Sequence, residues 1–344
     1  MSSVPGQFGT RKSPSWLLPA FGYGISLACL IWVYWGFDWE TELSRFAAAD
    51  WRWVTLAVIA DVAVYFIQGW RWSLLLSPVA RVPFSRSVQA VYVGLFANEV
   101  LPLRSGELIR CYVLGKWADT PFSVTLSSAV VERLFDGIWL VIGFFIVSPV
   151  LDLPGYLIQG TRILAIVLIA IAILLGVVMF RKHHAHAVVS SSRWSVALSH
   201  VVEGLHGMGN SPSFYLAGLV SLVYLAFQIV PVYALMIGYG LDLSFGVAAV
   251  TLIVLRLGTI LPQAPGNVGA FQFFTVLALS LFAVDKATAT GFATMMFVVV
   301  TVPLWLAGFI AVAMTGMKIR DLQHHAQSTF RASEETAAGS EARR

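Results

Sequence analysis

An all-α, polytopic membrane helix bundle is the fold class this sequence predicts, on three observations. Apolar side chains make up 58% of its 344 residues and charged ones only 12%, more hydrocarbon than one soluble core can hide. Six apolar stretches are each long enough to cross a hydrocarbon layer of about 30 Å. Between them lie two shorter apolar pairs, each interrupted by Pro and Gly.

The six full spans are expected near 16–36, 53–76, 122–148, 157–180, 213–239 and 288–316. The first begins at Trp16 and lacks an A-x-A-like cleavage site, so it reads as a retained helix rather than a signal peptide. The third follows Thr120 and Pro121, an expected N-cap and first helical residue. The broken pairs, 87–101 with 107–115 and 245–261 with 268–284, are either re-entrant hairpins or short full spans, which would give eight or more crossings. Leu198, Val201, Val202 and Leu205 recur at helical spacing among polar residues and suggest an interfacial helix.

Loop charge sets an orientation. Arg11 and Lys12, Arg81 and Arg86, then Arg181, Lys182 and Arg193 mark cytoplasmic loops. The alternate loops, with Asp38, Glu40, Glu42 and Asp50 against Arg45, then Asp152, then Asp242, fall outside. Lys318 and Arg320 follow the last span, so both termini are expected in the cytoplasm. The first hairpin then enters from the cytoplasmic face and the second from the opposite one, giving inverted halves over about 53–148 and 213–316. Residues 1–317 form one transmembrane domain on this reading. The polar stretch 318–344, rich in Ala, Ser, Glu and Arg, reads as a disordered cytoplasmic tail.

Three constellations interrupt the apolar background. In Ala97–Arg110, reading ANEVLPLRSGELIR, Asn98, Glu99, Arg104, Glu107 and Arg110 surround Pro102 and Gly106. Pro removes a donor and Gly permits unusual dihedrals, so a broken helix there frees backbone groups. Glu107 and Arg110 are spaced to pair, and a helix start beside Arg104 suits a lipid phosphate. A charged cytoplasmic loop between two helices is the alternative. Glu132, Arg133 and Asp136 lie well inside a span, where each uncompensated charge costs about 2.5–3.5 kcal/mol. Glu132 and Asp136 are like charges one turn apart and call for a further cation, with Arg104 and Arg110 as candidates. A static ion-pair lock and a substrate or proton pathway both fit. The third constellation, Leu261 to Gly269, repeats the L-P-x3-G spacing through Pro262 and Gly266 and adds Pro265, Asn267 and Gly269 without charge. Its backbone would be the ligand, or it is a plain turn; Arg256 nearby would serve an anion or pair with Glu132 or Asp136.

Asp61, and Gln228 with Pro231, are polar or kinking residues with no assigned role. Cys29 and Cys111 fall in different environments, which disfavours a disulfide, and His183, His184 and His186 read as a basic loop rather than a metal site. No phosphate-binding G-x4-G-K-[ST] loop, G-x-S-x-G elbow or H-E-x2-H pair occurs. The sequence therefore predicts neither cofactor nor metal, and it carries no catalytic motif. The net charge of +4 reads as cytoplasmic loop charge rather than a nucleic-acid surface.

At these residues the sequence resembles the lysylphosphatidylglycerol synthase transmembrane-region family of bacterial membrane proteins, in its stand-alone form. Asn98, Leu101, Pro102, Arg104, Gly106, Glu107 and Arg110 carry its N-x2-L-P-x-R-x-G-E-x2-R run. Glu132, Arg133 and Asp136 carry E-R-x2-D, and Pro262, Pro265, Gly266 and Gly269 carry P-x2-P-G-x2-G. Two departures weaken charge in the second half: Gln272 stands where the family often has Glu, and Met295 and Met296 where its last span often has Arg. The resemblance implies a lipid flippase or transporter of the cell inner membrane, without the synthase domain. Its cargo would be an anionic phospholipid, a polyprenyl-phosphate-linked lipid or another amphiphile. A membrane-embedded enzyme or scaffold in lipid or lipid-linked glycan biosynthesis is the alternative. The orientation is open to test: a reporter fused at Asp152 should report outside and one at His184 inside, and the reverse pattern refutes it.

Overall fold

The computed structural model describes residues 17–101, 105–151, 153–180, 208–209, 211–259, 263–316, 318–325 and 327–328. Its helices are α1 (Leu17–Tyr34), α2 (Trp39–Ala48), α3 (Trp51–Leu76), α4 (Phe84–Val100), α5 (Gly106–Trp117), α6 (Phe122–Val147), α7 (Gly155–Phe180), α8 (Pro212–Gly238), α9 (Phe245–Gly258), α10 (Ala270–Ser280) and α11 (Lys286–Ala313). No strand occurs among the described residues. Each expected span and each hairpin arm is a helix.

By length and composition four of these helices can cross a membrane: Trp51–Leu76, Gly155–Leu174, Pro212–Gly238 and Lys286–Ala313. A fifth span results if α1 and α2, bent by 84°, count together. The expectation of six is met only in part. α6 is as long as α3 but carries Glu132, Arg133 and Asp136, so it crosses only if those charges are compensated.

The helix starts follow from their caps. Asp50 accepts from Arg52 N at 3.0 Å, Ser211 precedes Pro212, and Ser244 caps α9. Asp38 and Asp285 cap α2 and α11; side-chain and backbone bonds from Thr41 and Thr288 hold their carboxyls below the usual carboxylate range. α6 departs by one residue from expectation. Pro121 takes its N-cap position because the Thr120 hydroxyl bonds back to Ala118 O at 3.0 Å. α2 replaces what read as an outside loop, turning Glu42 into a buried position beside Tyr239. At 319–325, within the expected tail, the chain is helical and Leu322 is buried. The expected interfacial helix at 198–205, the histidine cluster and residues 329–344 lie outside the described residues.

Two ends of the bundle can be told apart. At one, Asp50 N donates to Gly238 O at 2.9 Å, and Lys286 reaches Trp35 O at 3.4 Å. Arg45 reaches Thr288 Oγ1 there at 2.6 Å. This end therefore gathers the starts of α3 and α11 with the ends of α1 and α8. At the other, Gln89 donates to Ala311 O at 3.2 Å and Arg86 lies 4.8 Å from the Trp117 ring. That end gathers the start of α4 and the ends of α5 and α11. The pair α4–α5 thus opens toward one end and α9–α10 toward the other. α3 runs antiparallel to α8, its main packing partner.

The pairings repeat. α3 packs on α4, α4 on α5, α5 on α6, α6 on α8 and α9; correspondingly α8 packs on α9, α9 on α10, α10 on α11, and α11 on α3 and α4. Two buried clusters lie across these pairings: one joins Leu235, Leu252, Leu279 and Phe292 with Val54 and Ala57 of α3, and the other joins Trp72, Val91, Ile109 and Leu114 with Ala311 and Val312 of α11. α7 lies outside on α6, with Ile163, Ile166, Ile169 and Ile173 exposed, as an apolar helix facing lipid would be.

Close approach within the first hairpin depends on glycine. A Cβ on Gly94 would lie 2.8 Å from Gly106 O, and one on Gly106 would strike Asn98 Oδ1 at 2.6 Å. Gly106→Ala should therefore cost about 1–3 kcal/mol by overpacking. Thermal unfolding in detergent measures this, with Gly24→Ala as control because nothing lies within 4 Å of a Cβ there. Equal midpoints for the two variants would refute the tight contact.

Candidate functional site

The two hairpin tips meet inside the bundle. In the first, Asn98 Oδ1 accepts from Gly106 N at 2.8 Å, tying the end of α4 to the first turn of α5. In the second, Gly266 (φ 70°), Asn267 (φ 56°) and Gly269 (φ 86°) take the left-handed turn that glycine and asparagine tolerate. Gln272 Oε1 accepts from Gly269 N at 2.8 Å, and Ser26 Oγ from Ala264 N at 2.8 Å, so α1 holds this tip. Glu99 lies between the tips: its Oε2 would be 2.8 Å from a Cβ on Gly266 and accepts from Trp305 Nε1 at 3.4 Å.

Behind the first tip six charged side chains form one network. Arg71 of α3 has no exposed side-chain surface and meets Glu132 Oε1 at 3.1 Å, together with Asp136. Its guanidinium is also 3.2 Å from Ser221 Oγ and 4.5 Å from the Tyr224 ring. Arg110 of α5 meets Glu107 Oε2 at 2.7 Å and Glu132 Oε2 at 2.9 Å, and lies 4.6 Å from the Trp72 ring. Arg133 meets Asp136 Oδ2 at 3.3 Å and Glu107 Oε1 at 3.8 Å. Three guanidinium groups thus oppose three carboxylates, which is what makes their burial tolerable. Exposure is graded across the network: Glu132 is 0% exposed, Asp136 21%, Glu107 39% and Arg133 45%.

Two cavities flank the network. The outer one, of about 460 Å³, is lined by Arg133, Asp136 and Glu107 together with Leu140, Leu164 and Leu168. The inner one, of about 160 Å³, lies where the tips meet and is lined by Asp61, Asn98, Glu99, Gly266 and Asn267. Gln228, Arg256 and Thr259 belong to both walls. The Arg256 guanidinium donates to Gln228 Oε1, so the two side chains form a partition between the cavities.

Most sequence-derived site residues converge here. Glu107 pairs with Arg110, and Arg133 with Asp136, as their spacing suggests. Arg256 is bonded to Gln228 rather than ion-paired with Glu132 or Asp136, and Gln272 caps a helix rather than facing either cavity. Pro265 begins the turn of the second tip. Pro102, Arg104, Pro262 and Leu261 lie outside the described residues. Arg110, one of the two cations expected opposite Glu132, does meet it, whereas Arg71, which meets both Glu132 and Asp136, is the partner sequence reasoning missed. Its signal was present as a lone arginine inside the apolar span of α3, flanked by Trp70 and Trp72. No cluster of metal-ligating side chains occurs among the described residues.

A family model described as lysylphosphatidylglycerol synthase TM region matches residues 20–308. A UPF0104 membrane protein of Methanothermobacter thermautotrophicus is 25% identical over 287 residues, covering 76% of this chain and 78% of that protein. A UPF0104 membrane protein of Methanocaldococcus jannaschii is 24% identical over 262 residues, 70% of this chain and 78% of that one. A Haloferax volcanii protein named glycosyltransferase AglD is 25% identical over 286 residues, 70% of this chain but 46% of its own length.

Arg71→Met leaves Glu132 and Asp136 short of a cation, and should cost about 3–5 kcal/mol. Arg71→Met with Asp136→Asn removes one charge of each sign and should recover part of that loss. Chemical denaturation in detergent compares them; a double variant no more stable than the single one would refute mutual compensation.

Proposed function

This chain belongs to the lysylphosphatidylglycerol synthase transmembrane-region family, and from that premise we propose that it is a transporter moving an anionic lipid between membrane leaflets. The outer cavity carries this reading. Its lining combines Arg133, the most exposed cation of the network, with leucines from α6 and α7. That combination fits a phosphate headgroup with its acyl or polyprenyl chain. Arg71, Arg110 and Glu132 are buried and mutually paired, so their role is to hold α3, α5 and α6 in register. Arg133 receives the phosphate. Glu107 and Asp136 hold Arg133 when no lipid is bound.

The repeated pairings and the opposed openings of α4–α5 and α9–α10 support inverted halves, with α6 and α1 completing the spans. Alternating access would then rock one half against the other about the meeting tips. The distribution of Lys and Arg supports cytoplasmic termini, and the family resemblance a cell inner membrane.

An embedded enzyme or scaffold in lipid-linked glycan synthesis is the second reading, drawn from the likeness to the protein named glycosyltransferase. It needs a free base, whereas Glu132 and Asp136 are both engaged by Arg71. Lipid mass spectrometry of a deletion strain separates the two. A missing lipid species favours the enzyme, and unchanged composition with altered leaflet distribution favours transport.

In proteoliposomes the protein should accelerate leaflet exchange of a fluorescent phosphatidylglycerol. Arg133→Gln should slow it about tenfold, the loss of one charge-assisted contact, with a smaller drop in unfolding midpoint than Arg71→Met. Failure to accelerate any of several anionic lipids and lipid-linked sugars would sink the proposal.

A further inference from the structure

Asp61 takes no part in the ionic network. It lies in α3, nearly three turns before Arg71, is 7% exposed and lines the inner cavity. Its Oδ2 has no hydrogen-bond partner among the described residues. A buried carboxylate oxygen without a donor is a costly arrangement, and this one faces a cavity roomy enough for water. Tyr65 lies on the same helix, while Glu99 and Tyr92 come from α4, Arg256 from α9, and Tyr224 faces the outer side from α8. α10 and α11 add only uncharged side chains to this cavity. A metal cation would meet Arg256 in the same wall, and two candidate oxygens are already engaged, Asn98 by Gly106 N and Gln228 by Arg256.

We propose that the inner cavity is a proton-binding site in which Asp61 carries the proton, and that Arg256 is a cation shared between this site and the outer cavity. With Asp61 protonated, Arg256 serves the outer cavity and favours an anion there. When the Asp61 O–H bond breaks, the proton passes to water and the electron pair stays on the carboxylate. Arg256 is then drawn inward, and the outer cavity loses positive potential. By linkage, binding of an anion in the outer cavity and protonation of Asp61 favour each other. The coupling rests on the transport reading, whereas the proton site does not.

Infrared difference spectroscopy on reconstituted protein, titrated with pH, should show a carboxylic C=O band. The band should be lost in Asp61→Asn, shifted but present in Asp61→Glu and retained in Glu99→Gln. Absence of the band in the unaltered protein, or its persistence in Asp61→Asn, overturns the proton site. Binding of a short-chain phosphatidylglycerol should weaken as pH rises and lose that dependence in Asp61→Asn; pH-independent binding by the unaltered protein overturns the coupling. Leaflet exchange in the same vesicles is scored separately. No exchange with the band intact overturns transport alone, and exchange without the band overturns the proton site alone. An unchanged unfolding midpoint for Asp61→Asn or Asp61→Glu shows that the compared proteins are folded.

Discussion

A guanidinium sealed inside an apolar bundle imposes conditions on everything near it, and Arg71 is such a group. It cannot shed its charge, so carboxylates have to be brought to it. Glu132 and Asp136, one turn apart on α6, supply them, with Ser221 and the Tyr224 ring of α8 completing the surroundings. Glu132 passes the constraint on to Arg110 and hence to the first hairpin. Four elements, α3, α5, α6 and α8, are thereby held in one register. Apolar packing alone would leave α6 free to rotate, since lipid is as good a neighbour for leucine as protein is.

The same compensation is what α6 would need to cross a membrane. Three ionisable residues within five positions would forbid insertion if each faced lipid, yet here their charges are balanced one for one by side chains of α3 and α5. The balance also creates a gradient. At the Arg71 end the guanidinium and Glu132 have no exposed side-chain surface, while at the Arg133 end the carboxylate contacts are longer and the side chain is nearly half exposed. Rigidity and availability are thus placed at opposite ends of one network.

Much of the fold was legible because apolar length and Pro/Gly punctuation are local properties. All six long helices and both hairpins fall close to the limits those signals suggest. α2 was missed because ten residues with two acidic groups in the first turn do not register as a span; Asp38, a good N-cap, was the available clue. The candidate site was half legible. Spacing reveals pairs on one helix, such as Arg110 with Glu107 and Arg133 with Asp136, but not which distant helix faces them. Arg71 lies 61 residues from Glu132 and 65 from Asp136, and nothing in local periodicity connects them. The like-charge conflict between Glu132 and Asp136 did demand a cation; Arg110, one of the two expected, meets Glu132, while Arg71 of the preceding span, which meets both carboxylates, was not anticipated.

The asymmetry between the halves bears on how such a site would release what it binds. A lone arginine in a medium of low dielectric would hold phosphate too firmly for turnover. Arg133 is already shared by Glu107 and Asp136, so an arriving anion must displace carboxylates, and net affinity is the difference between two ionic interactions. The second half brings glycine-rich backbone and the uncharged Gln272 where the first brings ions, so the charge at the meeting tips stays low. Arg256, bonded to neutral Gln228 between the two cavities, has no ion-paired carboxylate among the described residues. A small change in charge on either side of it can therefore move it, which an arginine ion-paired to two carboxylates, such as Arg71, would resist.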